Sequence, residues 1–348
     1  MIYISYIALL LFFTLQVQAQ DAQYSQYYNA PLYLNPGFAG TSKFFRGGLN
    51  YRLQWPGTGE PYKSFSAWGD CPLGETYSAL GLLIKRDVQG IAKLSSTDIG
   101  VLYAYKTKLN KRWVLKPGLQ SSFVIRNIDF SRSLFSDQLN NSGATGNPTA
   151  DPVVNYGTSF SYIDFSAGTL LHDKHIWAGL SMHHLNRPNQ ALSNDIKSPL
   201  PVKWSVHTGY KIVMRSTPLR QHTAKSYLTL TPTFNYKVQG RFDQLDMGLY
   251  AIYDPLMLGF WYRGLPVKNY RVGIPNHESL IILLGIRHGN LSIGYSYDLN
   301  ISQLTGNSKG AHEVSLIYYF NDFKKIFEEE DDIPCPDLDI QYKKIGNR

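Results

Sequence analysis

The residues best suited to ligation or proton transfer are few and poorly grouped. His172-Asp173-Lys174-His175 and His183-His184 are the two local histidine groups. A zinc site needs three or four converging ligands with hydrogen-bond partners of their own. Neither group supplies that set, and the first brackets a tight turn, where imidazoles commonly face water. The acidic run Glu328–Asp332 lacks the alternating ligand spacing and turn glycine of a calcium loop, so it reads as a solvated charge run. No G-x-S-x-G elbow, P-loop or dinucleotide fingerprint occurs. Asp129, Asp137 and Asp151 could serve His183 or His184 as acid–base partners only if folding brought them together, and their spacing gives no sign of it. The expectation is therefore a protein that is not an enzyme, with no catalytic residue, cofactor or metal.

What the chain does have is alternation. Stretches in which apolar and polar side chains take turns recur from about residue 44 to Phe320. In one of them Val202, Trp204, Val206, Thr208, Tyr210, Ile212 and Met214 share a face, and Lys203, Ser205, His207, Gly209 and Lys211 share the other. Successive strand side chains point to opposite faces, so such a segment separates an apolar environment from a wet one. Many of them, rich in tyrosine and preceded by an export signal, predict an all-β fold: a transmembrane, antiparallel, up-and-down β-barrel. The mean hydropathy of -0.23 does not oppose this, because alternating strands average near the value of a soluble chain.

Residues 1–19 (MIYISYIALLLFFTLQVQA) hold an apolar run of about fifteen residues and end in Val17-Gln18-Ala19, a small-residue pattern for cleavage after Ala19. A spanning helix needs roughly twenty residues, so the run reads as a signal peptide rather than an anchor. The net charge of +8 lies wholly in the remainder of the chain. It suits anionic outer-membrane lipid or an acidic secreted partner, although ordinary solvated loops with a polar lumen are the favoured account of it. Nucleic acid is not an expected partner of an exported chain without a recognition motif.

Turn signals cut the chain into fourteen candidate strands, at roughly 44–55, 62–70, 76–86, 93–108, 112–125, 157–171, 174–186, 202–215, 225–236, 244–253, 257–264, 280–288, 290–299 and 311–320. An even count places both termini in the periplasm. The odd connections are then extracellular, and those at about 126–156, 187–201, 265–279 and 300–310 are the long ones. Turns near Asn110-Lys111, Asp173 and Gly289 are short. Long outer loops with short inner turns are the asymmetry of outer-membrane barrels, and the first three long loops form the expected partner surface. Pro232 cannot donate to a ladder and predicts a bulge or local break in its strand. Trp55, Trp68, Trp113, Trp177, Trp204, Trp261 and Tyr318-Tyr319-Phe320 lie near strand ends and are expected to form two aromatic girdles.

The domain plan is thus a signal peptide (1–19), a periplasmic N-terminal segment (20–43), the barrel (44–320) and a periplasmic C-terminal tail (321–348). Pro31, Asn35-Pro36 and Gly37 favour extended or turning backbone in the N-terminal segment. The tail opens with NDFKKIFEEEDDI, which allows a short amphipathic helix carrying Phe323, Ile326 and Phe327 on one side. Cys71 and Cys335 fall at the first inner turn and on the tail. First and last strands of a closed barrel are neighbours, so these sites share a rim about three strand spacings of ~4.8 Å apart. The oxidising periplasm permits a disulfide between them, two free thiols being the alternative.

Three motifs carry a family likeness. Gln26-Tyr27-Tyr28-Asn29-Ala30-Pro31 followed by Leu34-Asn35-Pro36-Gly37-Phe38-Ala39-Gly40 resembles the opening of the PorP/SprF family of Bacteroidota outer-membrane proteins. So does Tyr51-Arg52-Leu53-Gln54-Trp55-Pro56-Gly57, and His312-Glu313-Val314-Ser315-Leu316-Ile317-Tyr318-Tyr319-Phe320 resembles that family's last strand. The resemblance implies an outer-membrane component of the type IX secretion system that helps a secreted adhesin or gliding protein to be exported or anchored, with periplasmic parts of the secretion apparatus as further partners. It brings no catalytic residue. The rival expectation is an outer-membrane channel or transporter for small or hydrophobic solutes.

Overall fold

Strands that are apolar on one face and polar on the other leave no exposed backbone edge only if the sheet closes on itself, and this chain closes. The computed structural model describes residues 21–320 apart from 75, 91, 152–153, 155–157, 192–196, 216–226, 272–273 and 303–305. The signal-peptide segment, the tail and Cys335 therefore lie outside the described residues. Fourteen antiparallel strands run in sequence order: β1 (Phe45–Gln54), β2 (Tyr62–Pro72), β3 (Ser78–Gln89), β4 (Leu94–Tyr105, continued by Thr107–Lys108), β5 (Val114–Asn127), β6 (Ser159–His172) and β7 (Ile176–His183). They continue as β8 (Lys203–Tyr210, continued by Ile212–Arg215), β9 (Tyr227–Gln239), β10 (Phe242–Tyr253), β11 (Leu256–Arg271), β12 (Ile274–His288), β13 (Leu291–Asn300) and β14 (Ala311–Phe320). The last pairs with the first, from Phe45 opposite Phe320 to Gln54 opposite Ala311. Closure satisfies every strand edge inside the wall, the condition for crossing hydrocarbon.

The alternation sorts the side chains as expected. In β8, Trp204, Val206 and Tyr210 are exposed on the outer wall, while Lys203, Ser205 and His207 are buried in the lumen. Beyond Tyr210 the alternation lapses, and Ile212, Val213 and Met214 are all exposed. The cause sits opposite. Tyr210 faces Pro232 across the ladder, the pairing is interrupted there, and it resumes at Ile212 and Leu230 in the same register. The predicted break exists without a register shift.

Three expectations change, two of them in the wall. The stretch 265–279, expected to be a loop, instead extends β11 and β12 as a ribbon whose register shifts at Gly264, between Leu265 and Asn269, and again before Arg271. Pro266 and an unusual polar spacing mask the strand period there. Trp68, Trp177 and Trp261 are not girdle residues: each is almost fully buried inside the barrel. Trp204, Tyr318 and Phe320 do face outward. Aromatic rings suit either face of a strand, so position near a strand end does not say which way they point. Luminal glycines make the room: a Cβ on Gly209 would lie 1.9 Å from the Trp177 ring.

The N-terminal segment, expected outside the barrel in the periplasm, is packed within it. Tyr27, Tyr28, Leu32, Leu34, Phe38 and Ala39 form one buried cluster with Trp68, Leu83, Leu102, Leu170, Trp177, Tyr250, Trp261 and Ile281 of the wall. Burying Leu32 and Phe38 contributes roughly 1.5–3 kcal/mol each. A barrel of this strand number is too wide for its own side chains to fill, so a folded strap can occupy it.

Candidate functional site: a luminal strap and its ion network

The strap is a series of short turns. A 3-10 turn spans Tyr27–Asn29, a single α-turn spans Pro31–Leu34, and a second 3-10 turn spans Pro36–Phe38. Each proline opens its turn, where no amide hydrogen is required. Asn35 links strap to wall. Its Oδ1 accepts from the Gly37 amide at 2.8 Å, and its Nδ2 donates to the carbonyls of Thr169 (β6) and Leu180 (β7) at 3.1 Å each. Pro36 lies against Gly118, and a Cβ on Gly168 would sit 2.1 Å from Asn35 Oδ1. The strap therefore seats on glycines that leave the wall bare.

At the rim of the short turns, Lys116 Nζ donates to the carbonyls of Ala39 and Gly40 at 3.0 and 2.9 Å. The Gly40 amide donates to Asp70 Oδ2 at 2.6 Å, and Arg46 Nε pairs with Asp70 Oδ1 at 2.9 Å. In the other half of the lumen, Glu313 accepts from the amides of Ser25 and Gln26 at 2.7 and 3.0 Å. Arg52 pairs with Glu313 at 3.2 Å and Asp298 at 2.8 Å. Arg263 pairs with Asp246 at 2.7 Å and Asp298 at 2.9 Å, and donates to Ser25 Oγ at 3.0 Å. Ser25 Oγ donates in turn to Asp298 at 2.6 Å. Lys237 adds a contact to Asp246 at 3.3 Å. Charges removed from water are costly unless paired, and here Arg46, Arg52, Lys237 and Arg263 each meet a carboxylate, while Lys116 is held by two carbonyls. The chemistry of this arrangement is fastening.

The strap begins at the opposite rim, where the long connections are. Asp21 Oδ2 meets His184 Nε2 at 2.9 Å and Lys203 Nζ at 3.2 Å, and His184 Nδ1 reaches Asp164 at 2.8 Å. Burial favours a neutral His184 ring, but the carboxylates of Asp21 and Asp164 outweigh it and raise its pKa to about 9. His183 points elsewhere, to Ser166 Oγ at 3.1 Å. A cavity of about 10 Å³ remains among Tyr24, Tyr33, His183, Lys203, Asn235 and Lys237, room for about one water.

The other histidine group is split by its turn: His172 is buried and His175 exposed. Between them Asp173 accepts from the amides of His175 and Ile176 at 2.7 and 2.8 Å and from Arg112 Nε at 2.7 Å. Burial works against its charge, yet those donors hold its pKa down to about 2. Asp129 and Asp137 serve loop turns, accepting from Ser131 and from Thr149 and Ala150. The carboxylates that reach His184 are Asp21 and Asp164 instead. Among the described residues no group of three or more His, Cys, Asp or Glu side chains could hold a metal ion.

Of the motif residues, Asn35, Pro36 and Gly40 lie in the strap, and Arg52 and Glu313 meet in its ion network. Gln54 ends β1, and the Trp55 amide donates to the Gly310 carbonyl at 2.8 Å. Pro56 opens a 3-10 turn, and the Gly57 amide donates to the Ser308 carbonyl at 3.1 Å. Phe320 packs on Phe45 with ring centres 4.8 Å apart. Cys71 lies one residue from the end of β2, half-buried, at an outward-facing position; its proposed partner Cys335 is outside the described residues. Sequence reasoning missed Ser25, Asp246, Arg263 and Asp298. For Asp246, Arg263 and Asp298 the signal was available, as ionisable side chains at the polar positions of strands that are otherwise apolar on the alternate face; Ser25, in the strap, carried none.

A family model described as "Type IX secretion system membrane protein PorP/SprF" matches residues 16–318. A comparison with curated proteins finds no match. Among solved structures, CdiB from Acinetobacter baumannii is similar at 7% identity and a TM-score of 0.42, over 79% of this chain and 60% of that one. The chain thus spans less than two thirds of that relative. A Pseudomonas aeruginosa FadL homologue is similar at 13% identity and a TM-score of 0.38, over 80% and 90% of the two chains. The TodX monoaromatic hydrocarbon channel deltaS2 mutant is similar at 12% identity and a TM-score of 0.41, over 84% and 94%.

Proposed function

This chain belongs to the PorP/SprF family of type IX secretion system membrane proteins, and from that premise we propose that its outer-membrane barrel is a binding and anchoring platform for a secreted surface protein. The observation that carries this reading is the filled lumen. A strap held by Asn35, Lys116 and the Arg52–Arg263 network occupies the space a solute would need. A rigid, closed wall then serves to display its long connections. The one between β5 and β6 is the longest, and its Leu134 and Leu139 side chains are 64% and 51% exposed. Exposed apolar residues on a long loop suit protein contact.

Removing residues 134–148 tests the proposal. Surface retention of the secreted partner should fall while the barrel still inserts and still shifts on heating in gels. Unchanged retention would refute a role for this loop. The rival channel reading is tested separately in planar bilayers, where the purified wild-type protein should give no steady conductance. Ohmic steps from it would overturn the platform reading.

A further inference from the structure

We propose that the mature amino terminus reaches the outer surface of the cell through the barrel's own lumen, so that the two ends of this chain lie on opposite sides of the outer membrane. An even number of strands returns the ends of the barrel wall to one rim, and Phe45 and Phe320 do face each other there. The chain before Phe45 reverses that result. Gly40 is fastened at the same rim by Asp70 near the end of β2 and by Lys116 near the start of β5. A Cβ on Gly40 would fall 2.2 Å from the Ala79 Cβ at the start of β3, so the backbone is pressed against the wall at that level.

Going backwards along the strap, the wall contacts climb. Asn35 meets Thr169 and Leu180 partway up, and Ser25 meets Asp298 and Glu313 near the far ends of β13 and β14. Asp21 ends the climb at His184, which follows β7, at Lys203, which opens β8, and at Gln239, which closes β9. These three positions flank the long connection between β7 and β8 and the turn between β9 and β10. Twenty residues thus cross the whole barrel. Long connections face outward in outer-membrane barrels, which puts Asp21 at the extracellular mouth. Cleavage after Ala19 would leave the terminal amine one residue beyond it, among the loops proposed to meet the secreted partner.

The strap cannot be threaded after the wall has closed without drawing its tyrosines through an ion network, so the barrel must fold around it. The inference concerns topology and holds with or without a secreted partner, so it is tested in cells that lack one. A short unstructured epitope is inserted between Ala19 and Gln20, a second version carries it after Arg348, and a third within residues 140–147. Antibody should bind the first and third on intact cells and the second only after permeabilisation. Binding to the loop epitope with no binding to the amino-terminal one until permeabilisation would overturn the inference. So would protection of both, with the carboxy-terminal epitope exposed. Should the tagged protein fail to assemble, cysteine replacement of Asn186, close beside the same mouth, and of Gln20, in a Cys71→Ala/Cys335→Ala background, gives the same reading with a membrane-impermeant thiol reagent. Labelling at 186 without labelling at 20 would again overturn it.

Discussion

Replacing Arg52 by methionine should loosen both the strap and the seam at which the barrel closes. Arg52 and Glu313 are direct partners across β1 and β14, and both are buried. The substitution keeps a similar volume but leaves Glu313 with only the amides of Ser25 and Gln26, and leaves Asp298 to Arg263 and the Ser25 hydroxyl. Breaking a buried ion pair from one side costs about 3–5 kcal/mol, because a desolvated charge is left behind. Glu313→Gln removes the opposite charge, keeps an acceptor for one strap amide, and should cost about 1.5–3 kcal/mol. In the double variant neither charge is stranded by the other, so the combined loss should fall short of the sum by at least ~1 kcal/mol. The coupling will not be complete, since Arg52 also serves Asp298. Urea titration in lipid vesicles, followed by tryptophan fluorescence and by the heat-induced gel shift, measures all four proteins. Strict additivity, or an Arg52→Met variant as stable as wild type, would refute the claim that this network fastens the strap.

Gly168→Val should push Asn35 off β6, destabilise the protein by about 1–3 kcal/mol and open measurable conductance in planar bilayers; a silent, fully stable variant would mean the strap seats elsewhere. His184 has a pKa raised to about 9 from 6.5, so its pairing with Asp21 and Asp164 stabilises fully below pH 6.5 and is lost as pH rises through about 9. Wild-type stability should therefore decline over that interval, and His184→Gln should flatten the decline; identical profiles would remove His184 from the latch. For the cysteines, mass spectrometry of non-reduced protein from cells should find a peptide joining Cys71 to Cys335, and two alkylatable thiols would dismiss the bond.

The fourteen strands were legible because their signal is local. Apolar and polar residues alternate within each segment, and Pro232 marks the break in its own strand without reference to any neighbour. Where the local pattern was interrupted, at Pro266 and the bulges after Arg263, a strand pair was read as a loop. The direction of the tryptophans was not legible either, since a ring on a strand is at home against lipid or in a core.

The sequence by itself determined the class of protein, the closed wall, its crossing of the outer membrane and its lack of any recognisable catalytic motif, all of which follow from period, composition and order along the chain. Only the tertiary structure decided that residues 21–43 fill the lumen. Polar side chains facing a barrel's interior read the same whether they meet water or a strap. Arg52, Arg263, Asp298 and Glu313 find Ser25 or Gln26 across separations of 27 to 288 residues, and pairings of that range leave no local mark.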